Sequence, residues 1–289
     1  MAGELAFIEA LRALASDPAA RGLNDDCAVL PFGGETLVLT HDTMVAGVHF
    51  LPDQDPADVA WKLVATNISD LAAKGAVPVG VLLSYQLTGD ENRFLEGLAG
   101  ALAEYGVPLL GGDTVSSAGA QVLGLTAIGR ASHSPVPGRD GAQVGDAVYM
   151  TGPIGGAMMG LEALRAGRPD DESLAYRRPV ARLAEGQALA PFVTAMMDVS
   201  DGLLLDASRM ARTSGVTINL DAQAIPLACP PERRDEALRW GDDYQLLLTA
   251  PSELALPLPL HRIGVVRTKE EAPVLIDGAP PIGRLGYQH

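Results

Sequence analysis

The chain has 289 residues, which at about 150 residues per domain predicts two domains. Hydrophobic residues make up 47% of it and charged residues 20%, an ordinary globular composition that excludes disorder as the main state. The formal net charge is −15 and the sequence has no basic cluster. Nucleic acids and anionic membrane surfaces are therefore poor candidate partners.

The sequence also lacks the usual signals of a membrane or secreted protein. No uninterrupted apolar stretch reaches the roughly 18 residues of a membrane span. Residues 4–14 form an amphipathic run in which Glu4 and Glu9 stand where a leader would be basic. Cys27 and Cys229 are too few for a disulfide framework, and no zinc-site spacing is present. We predict a cytoplasmic protein in which both cysteines are small buried residues.

Short apolar runs alternate with segments suited to helices in the first half of the chain. Asp55 and Pro56 supply a helix cap and a favoured first helical residue, and Gly75 ends the run that follows. The predicted strands are 35–42, 79–87, 107–110 and 121–129, and the predicted helices are 57–74 and 91–105. This interleaving of strands and helices predicts an α/β or α+β fold.

The densest turn-forming stretch, residues 132–138, separates the two halves. We place the domain boundary there, with an N-terminal domain at 1–137 and a C-terminal domain at 138–289. The predicted strands of the second half are 147–151, 195–197, 216–220, 244–249 and 263–266, and its predicted helices are 157–166 and 203–213. Each half has steps from a strand through an acid to a helix, which suits two related domains.

Aspartates recur at the ends of these predicted elements. Asp42, Asp113 and Asp198 stand at the carboxyl ends of strands, where open α/β sheets assemble ligand sites. The other acids at element ends are Asp25, Asp26, Asp201, Asp242 and Asp243. Each one alone is typical of a turn or a helix start, but their number and common placement indicate one shared site.

A group of five or more aspartates is suited to hard divalent cations. Mg²⁺ prefers oxygen ligands and is usually held by a few carboxylates together with substrate phosphates. We therefore predict a site in which several Mg²⁺ ions hold a polyphosphate and supply the positive field that this acidic chain lacks. Calcium storage is the competing interpretation, but the EF-hand spacing is absent from the sequence.

Two further sequence patterns each allow a structural or a functional interpretation. Lys62, Thr66, Asp70 and Lys74 fall four apart on the 57–74 helix. This periodicity alone favours an exposed Asp70–Lys74 ion pair. The segment 152–156 lies between a strand and a helix, where a phosphate can bind, but its glycine spacing is not that of a standard phosphate loop and favours a tight structural turn.

Six short segments match a known sequence pattern. Each match alone is weak evidence, but all six in this order are highly specific. They are NDDCAVL at 24–30, DTMVAGVHFLPD at 42–53, NISDLAAKGA at 67–76, GGDT at 111–114, DVSDGL at 198–203 and GDDY at 241–244. The chain resembles the bacterial thiamine-monophosphate kinases, a family in the superfamily that includes aminoimidazole ribonucleotide synthetase. The resemblance covers residues 25–287. It implies two α/β domains, with the N-terminal sheet pairing in a homodimer and the nucleotide held between subunits.

The resemblance also implies an activity and the residues that support it. The activity is ATP-dependent phosphorylation of thiamine monophosphate to thiamine diphosphate, the last step in making that cofactor, with several Mg²⁺ ions. The implied Mg²⁺ ligands are Asp25, Thr40, Asp42, Asp70, Asp113, Asp198 and Asp201. The implied nucleotide contacts are Gly112, Asp113, Arg130 and Ser200, and the implied substrate contacts are His49, Asp242 and Tyr287. For Asp70, the resemblance replaces the exposed ion pair with a ligand role.

The chain departs from the family pattern at several positions. Asn24 stands where the family usually has glycine, in a turn where asparagine accepts a positive φ. Asp242 stands where the family has glutamate, so its contact with the substrate is one methylene shorter. Val115 and Ser116 stand where the family often has threonine and a basic residue.

The implied reaction fits a chain without an evident general base. A phosphate monoester has a second pKa of about 6, so the acceptor is largely dianionic at neutral pH and needs no base to activate it. We expect direct in-line transfer, assisted by Mg²⁺.

Two alternatives remain. One is another ATP-using relative, although no residue before Cys27 matches the reactive cysteine of selenophosphate synthetase and the final residues lack the cysteine of the hydrogenase-maturation relative. The other is a non-catalytic protein that binds metal or nucleotide.

Overall fold

Two β-sheets, one in each half of the chain, organise the structure. A computed structural model describes residues 4–89, 91–168 and 170–287. In these ranges the strand order is β1-β2-β5-β3-β4 in the first sheet and β11-β8-β10-β6-β9-β7 in the second. Helices pack on both sheets, which confirms the predicted α/β (α+β) class. The predicted boundary after residue 137 falls in the segment that joins the sheets and remains a prediction.

The first sheet is largely antiparallel. Its strands are β1 (Ala28–Phe32), β2 (Glu35–Val45), β3 (Ala76–Gln86), β4 (Leu109–Val115) and β5 (Val122–Ala131), and the helices of this half are α1 (Glu4–Arg12), α2 (Pro56–Ala73) and α3 (Asn92–Glu104). The pairs β1–β2, β2–β5 and β5–β3 are antiparallel, whereas the edge strand β4 pairs with β3 in parallel.

The second sheet is also mixed. Its strands are β6 (Asp146–Met150), β7 (Ala195–Asp198), β8 (Thr217–Leu220), β9 (Leu246–Pro251), β10 (His261–Arg267) and β11 (Val274–Ile276), and its helices are α4 (Gly156–Arg165), α5 (Asp170–Arg177), α6 (Leu183–Leu189), α7 (Leu203–Ser214) and α8 (Arg234–Ala237). Of these elements, α5, α6, α8 and β11 are not predicted by the sequence patterns. Of the helices in the described ranges, none has the length and apolar character that a membrane span needs.

Helix α2 begins as predicted and lies at the centre of the molecule. The Asp55 carboxylate accepts a hydrogen bond from the Ala57 N–H at 3.0 Å, and Pro56 is the first helical residue. One side of α2 packs on the first sheet and α3, while the other meets α6 and β7 of the second half. Because both sides are covered, polar side chains on α2 need partners inside the protein.

Two of the predicted strand-end acids lie within strands. β2 continues to Val45 and β4 to Val115, so Asp42 and Asp113 are internal to them, whereas Asp198 ends β7 as predicted. β2 extends because its last residues pair with β5 and bury Met44. The acids therefore come together where the two domains meet, and not along one edge of a parallel sheet.

Gly112 marks a close approach between β4 and β3. A Cβ atom on Gly112 would lie 1.9 Å from the Leu83 carbonyl oxygen, whereas one on Gly111 would come no closer than 3.7 Å to the side chain of Leu82. We expect Gly112→Ala to lower the free energy of unfolding by about 1–3 kcal/mol, because β4 must shift. Urea unfolding measures this, and Gly111→Ala is the matched control. Equal losses in both variants would contradict the close approach as the cause.

Candidate functional site

A cavity of about 570 Å³ opens between the two domains. The first domain contributes β2 and α2 to its walls, and the second contributes α4, α5 and the segments that follow β7 and precede β9. The predicted site residues along this cavity are Asp42, His49, Asp70, Asp198, Ser200, Asp201, Asp242 and Tyr287. Acids that are far apart in the sequence therefore share one cavity.

Three carboxylates are close enough to share one cation. Oxygens of Asp26, Asp70 and Asp198 lie within 4.8 Å of one another. Asp26 precedes β1, Asp70 lies in the last turn of α2, and Asp198 ends β7, so the group spans both domains. Asp26 is among the acids predicted at element ends, but it is not among the predicted Mg²⁺ ligands.

Asp198 shows that this group suits a divalent cation. The residue is 1% exposed, and its Oδ2 accepts a hydrogen bond from the Ser69 hydroxyl at 2.6 Å. Its Oδ1 has no hydrogen-bond partner among the described residues. A buried carboxylate oxygen without a partner is costly, and a hard cation satisfies it. The oxygen-only donor set and this oxygen together fit Mg²⁺.

Burial also shifts the pKa values of these acids upward. Burial, and then repulsion from Asp26, raises the pKa of Asp198 to about 8. Burial raises the pKa of Asp42 to about 6. The pKa of Asp70 is raised well above its usual range by burial and by the charges of Asp42 and Asp198, although the Thr40 hydroxyl donates to it. These acids repel one another and would attract a divalent cation.

The metal-free protein should lose stability as the pH rises. An acid with a raised folded-state pKa favours folding below its unfolded pKa, and this contribution is lost as the pH passes the folded value. For Asp198 the window runs from 3.8 to about 8. We expect the melting temperature in EDTA to fall from pH 5 to pH 8 and Mg²⁺ to restore it at pH 8. Calorimetry at pH 5 and pH 8 tests this. A melting temperature at pH 8 that does not change when Mg²⁺ is added would contradict it.

Asp25 and Asp26 have a different environment, because basic side chains surround them. Lys74 Nζ lies 2.5 Å from Asp25 Oδ1 and 2.6 Å from Asp26 Oδ2. Arg21 pairs with the second oxygen of Asp25, and Arg139 with the second oxygen of Asp26. Burial alone would raise the pKa of Asp26, but the charges of Arg139 and Lys74 hold it well below its usual range.

The polar stripe on α2 is buried. Lys62 and Lys74 are each 1% exposed, because the face that carries them meets the second domain. The exposed Asp70–Lys74 pair that periodicity favours is therefore wrong, since Lys74 pairs with Asp25 and Asp26. A four-residue spacing identifies a polar face, but it does not reveal whether another domain covers that face.

Two of the predicted substrate contacts, His49 and Asp242, bind a buried lysine. Lys62 Nζ donates to Asp242 Oδ2 at 2.8 Å and to the His49 carbonyl oxygen at 3.0 Å, and it lies 3.9 Å from the centre of the Tyr176 ring. The Tyr244 hydroxyl donates to Asp242 Oδ1 at 2.9 Å. The Asp242 carboxylate is thus held on both oxygens. Sequence reasoning missed Lys62 and Tyr176 as residues of this site.

The glycine-rich segment before α4 is capped by the protein itself. The Gly155 and Ala157 N–H groups donate to the Asp243 carboxylate at 2.7 and 3.1 Å. Burial raises the pKa of Asp243 to about 7. A carboxylate therefore occupies the helix N-terminus that a phosphate would need, which agrees with a structural turn.

The other predicted residues lie outside the cavity of their own chain. Gly112 and Asp113 are on the exposed edge strand β4, and Arg130 on β5 pairs with Glu35 at 3.1 Å. Thr40 reaches the site through its hydrogen bond to Asp70. The ligand and nucleotide assignments of these residues remain predictions.

Comparisons with known proteins place this architecture in a known class. The model of the AIR synthase related protein N-terminal domain matches residues 24–131, and that of the C-terminal domain matches residues 143–258. The structure of the hydrogenase maturation protein HypE in complex with ATP has a TM-score of 0.71 at 21% identity, covering 95% of this chain and 92% of that one, which shows the shared fold alone. The fold and the inter-domain site define an AIR synthase related protein.

Closer similarity points to one family in that class. The thiamine-monophosphate kinase of Escherichia coli strain K12 is 37% identical over 268 residues, covering 84% of this chain and 81% of the relative. That of Caulobacter vibrioides is 39% identical over 251 residues, covering 80% and 71%. The structure of AaThiL complexed with AMPPCP and TMP has a TM-score of 0.90 at 31% identity, covering 99% of this chain and 97% of that one. The chain belongs to the thiamine-monophosphate kinase family.

Proposed function

We propose that the protein catalyses ATP-dependent phosphorylation of thiamine monophosphate to thiamine diphosphate. The observation that carries this is one cavity in which acids from both domains meet the predicted substrate contacts, in a chain of this family. The test is release of ADP from ATP and Mg²⁺ with and without thiamine monophosphate. Binding of ATP without release of ADP that depends on thiamine monophosphate would favour a non-catalytic protein.

We assign the Mg²⁺ ions of this reaction to the acids that face the cavity. Asp42, Asp70, Asp198 and Asp201 offer the oxygens. The Thr40 hydroxyl lies beside Asp70, and the Asp26 carboxylate is close enough to share an ion with Asp70 and Asp198. Bound Mg²⁺ supplies positive charge that offsets the repulsion between ATP and a phosphorylated acceptor. Asp198 supports the assignment most directly through its buried oxygen Oδ1, for which the described residues provide no hydrogen bond.

The protein's own contribution is to position the acceptor. Lys62 and Tyr244 fix both oxygens of Asp242, so this carboxylate presents one orientation to the substrate. Because the acceptor phosphate is largely ionised at neutral pH, transfer needs alignment and charge stabilisation more than proton removal. We propose direct in-line transfer. ATP with a chiral γ-phosphate tests it, since one transfer inverts the configuration and a phosphoenzyme route retains it.

We further propose a homodimer in which the nucleotide lies between subunits. The first sheet leaves large apolar side chains exposed on β3, β4 and their surroundings, an arrangement typical of an association surface. These side chains are Val77, Val79, Leu82, Leu109, Leu110 and Val115. Gly112 and Asp113 lie in the same strand, so pairing through this surface would bring them to the site of the other subunit, where Ser200 lines the cavity. Sedimentation equilibrium measures the assembly state.

A further inference from the structure

Asp201 differs from the other cavity acids that we assign to Mg²⁺, because a basic side chain pairs with it. Arg209 Nη1 donates to Asp201 Oδ2, whereas Asp70 and Asp198 accept from hydroxyl groups. Asp201 lines the cavity with its side chain 27% exposed, and its Oδ1 accepts no hydrogen bond from the described residues. One oxygen of Asp201 is therefore held by the protein, and the other is available to a cation.

A second aspartate bonds to the same arginine. Asp206 lies in the first turn of α7 and is completely buried. Its Oδ1 accepts from Arg209 Nη1 at 2.8 Å, and its Oδ2 accepts from the Asp201 backbone N–H at 3.0 Å. Asp206 does not line the cavity, so its contacts with the site run through Arg209 and the Asp201 backbone.

The arginine is shared between the two carboxylates. A guanidinium often forms two parallel hydrogen bonds to both oxygens of one carboxylate. Here the single nitrogen Nη1 of Arg209 bonds to one oxygen of each acid. Asp206 and Arg209 are three residues apart on α7, so the helix itself keeps this pair together. Asp206 thereby holds the guanidinium away from a two-oxygen contact with Asp201.

We propose that Asp206 is a positioning residue for the metal site: it shares Arg209, and this sharing leaves Asp201 Oδ1 available to a divalent cation. The proposal rests on the proposed function, because it assumes that Asp201 is an Mg²⁺ ligand. Asp206→Asn keeps an amide oxygen for the Asp201 N–H, but it removes the charge, and the amide nitrogen cannot accept from Arg209. The guanidinium should then turn to both oxygens of Asp201 and compete with the cation.

The experiment measures the Mn²⁺ affinity of the full-length protein, from the electron paramagnetic resonance of free Mn²⁺ in the presence of AMPPCP. Asp206→Asn should weaken the binding of at least one Mn²⁺ by about 10- to 100-fold, the usual effect of removing a partner of a metal ligand. Arg212→Gln is the matched control and should leave the affinity unchanged, because Arg212 is an exposed arginine on the same helix. Wild-type affinity in Asp206→Asn overturns the proposal.

A double variant separates the sharing of Arg209 from a loss of charge or a disturbed helix. In an Arg209→Gln background the competing guanidinium is gone, so adding Asp206→Asn should not weaken Mn²⁺ binding further. If Asp206→Asn acts through its charge alone or by disturbing α7, it should weaken binding equally in both backgrounds. That result overturns the proposal.

A measurement on the wild type keeps the test decisive if Asp206→Asn does not fold. Crystals soaked in Mn²⁺ and AMPPCP should show an anomalous peak bonded to Asp201 Oδ1, with Arg209 still bonded to Asp206. A peak on Oδ2 instead, no peak at Asp201, or an Arg209 side chain detached from Asp206 overturns the proposal.

Failure of the proposed function gives a different result. Asp201→Asn should weaken Mn²⁺ binding, and an unchanged affinity overturns the ligand role of Asp201 together with this proposal. Weaker binding in Asp201→Asn with no loss in Asp206→Asn overturns this proposal alone. Absence of the proposed kinase activity would appear in ADP release and would leave the Mn²⁺ affinities intact, so the failures are distinguishable.

Discussion

Replacing Asp198 by asparagine should lower kcat by about 10³-fold at saturating ATP and thiamine monophosphate, the range seen when one transition-state charge partner is removed. Asp198 is the acid best placed to hold a cation, since its buried Oδ1 lacks a hydrogen bond from the described residues. Asparagine keeps the shape of the side chain, but it replaces one of the two carboxylate oxygens with an amide nitrogen and removes the negative charge. Initial rates of ADP release over a range of Mg²⁺ concentrations measure the loss.

The same change should leave the fold intact. Burial raises the pKa of Asp198 to about 8, so without metal the side chain is largely neutral at pH 7 and asparagine resembles that state. The melting temperature in EDTA should therefore equal or exceed that of the wild type. Asp146→Asn is the control. Asp146 is a buried aspartate on β6 bonded to Thr194, outside the cavity lining, and this change should leave kcat unchanged. Turnover by Asp198→Asn within tenfold of the wild type would contradict the role of Asp198.

Local signals in the sequence were sufficient to place α2 and the acids that surround it. Asp55 and Pro56 define the start of the helix through contacts within three residues, and Gly75 follows its end. Acids predicted at element ends indicated a shared site. Asp198 ends β7 as predicted, whereas Asp42 reaches the cavity from within β2 and Asp113 lies outside it. The predicted family resemblance is confirmed by the domain matches and the curated relatives.

Long-range pairing is what the sequence could not provide. Lys62 lies 180 positions before its partner Asp242, and Lys74 lies about 50 positions from Asp25 and Asp26, with no local pattern to connect them. One signal was available. If Asp70 faces the cavity, residues about one and two turns away on α2, such as Lys74 and Lys62, lie on the same face of the helix and are candidates for the site.

Burial of Cys229 was also expected, and it is only half-buried, because its loop lies near the surface.

Mixing two inactive variants should restore activity if the site is built from two subunits. Asp113 lies on the exposed edge strand β4, outside the cavity lining of its own chain. Asp113→Asn and Asp198→Asn should therefore each lose turnover for different reasons. In a dimer that carries one of each, one site combines the intact Asp198 of one chain with the intact Asp113 of the other, while the second site has lost both.

Random reassembly would make half of the dimers mixed, each with one intact site of two, so activity should recover to about one quarter of the wild-type value. The measurement is ADP release after the two variants are unfolded together and refolded, with each variant refolded alone as the control. If Asp113 acted within its own chain, both sites of a mixed dimer would carry one defect and no activity would return. Recovery near one quarter requires that β4 of one subunit completes the cavity of the other, because no other pairing of the two chains contains both intact aspartates at one site.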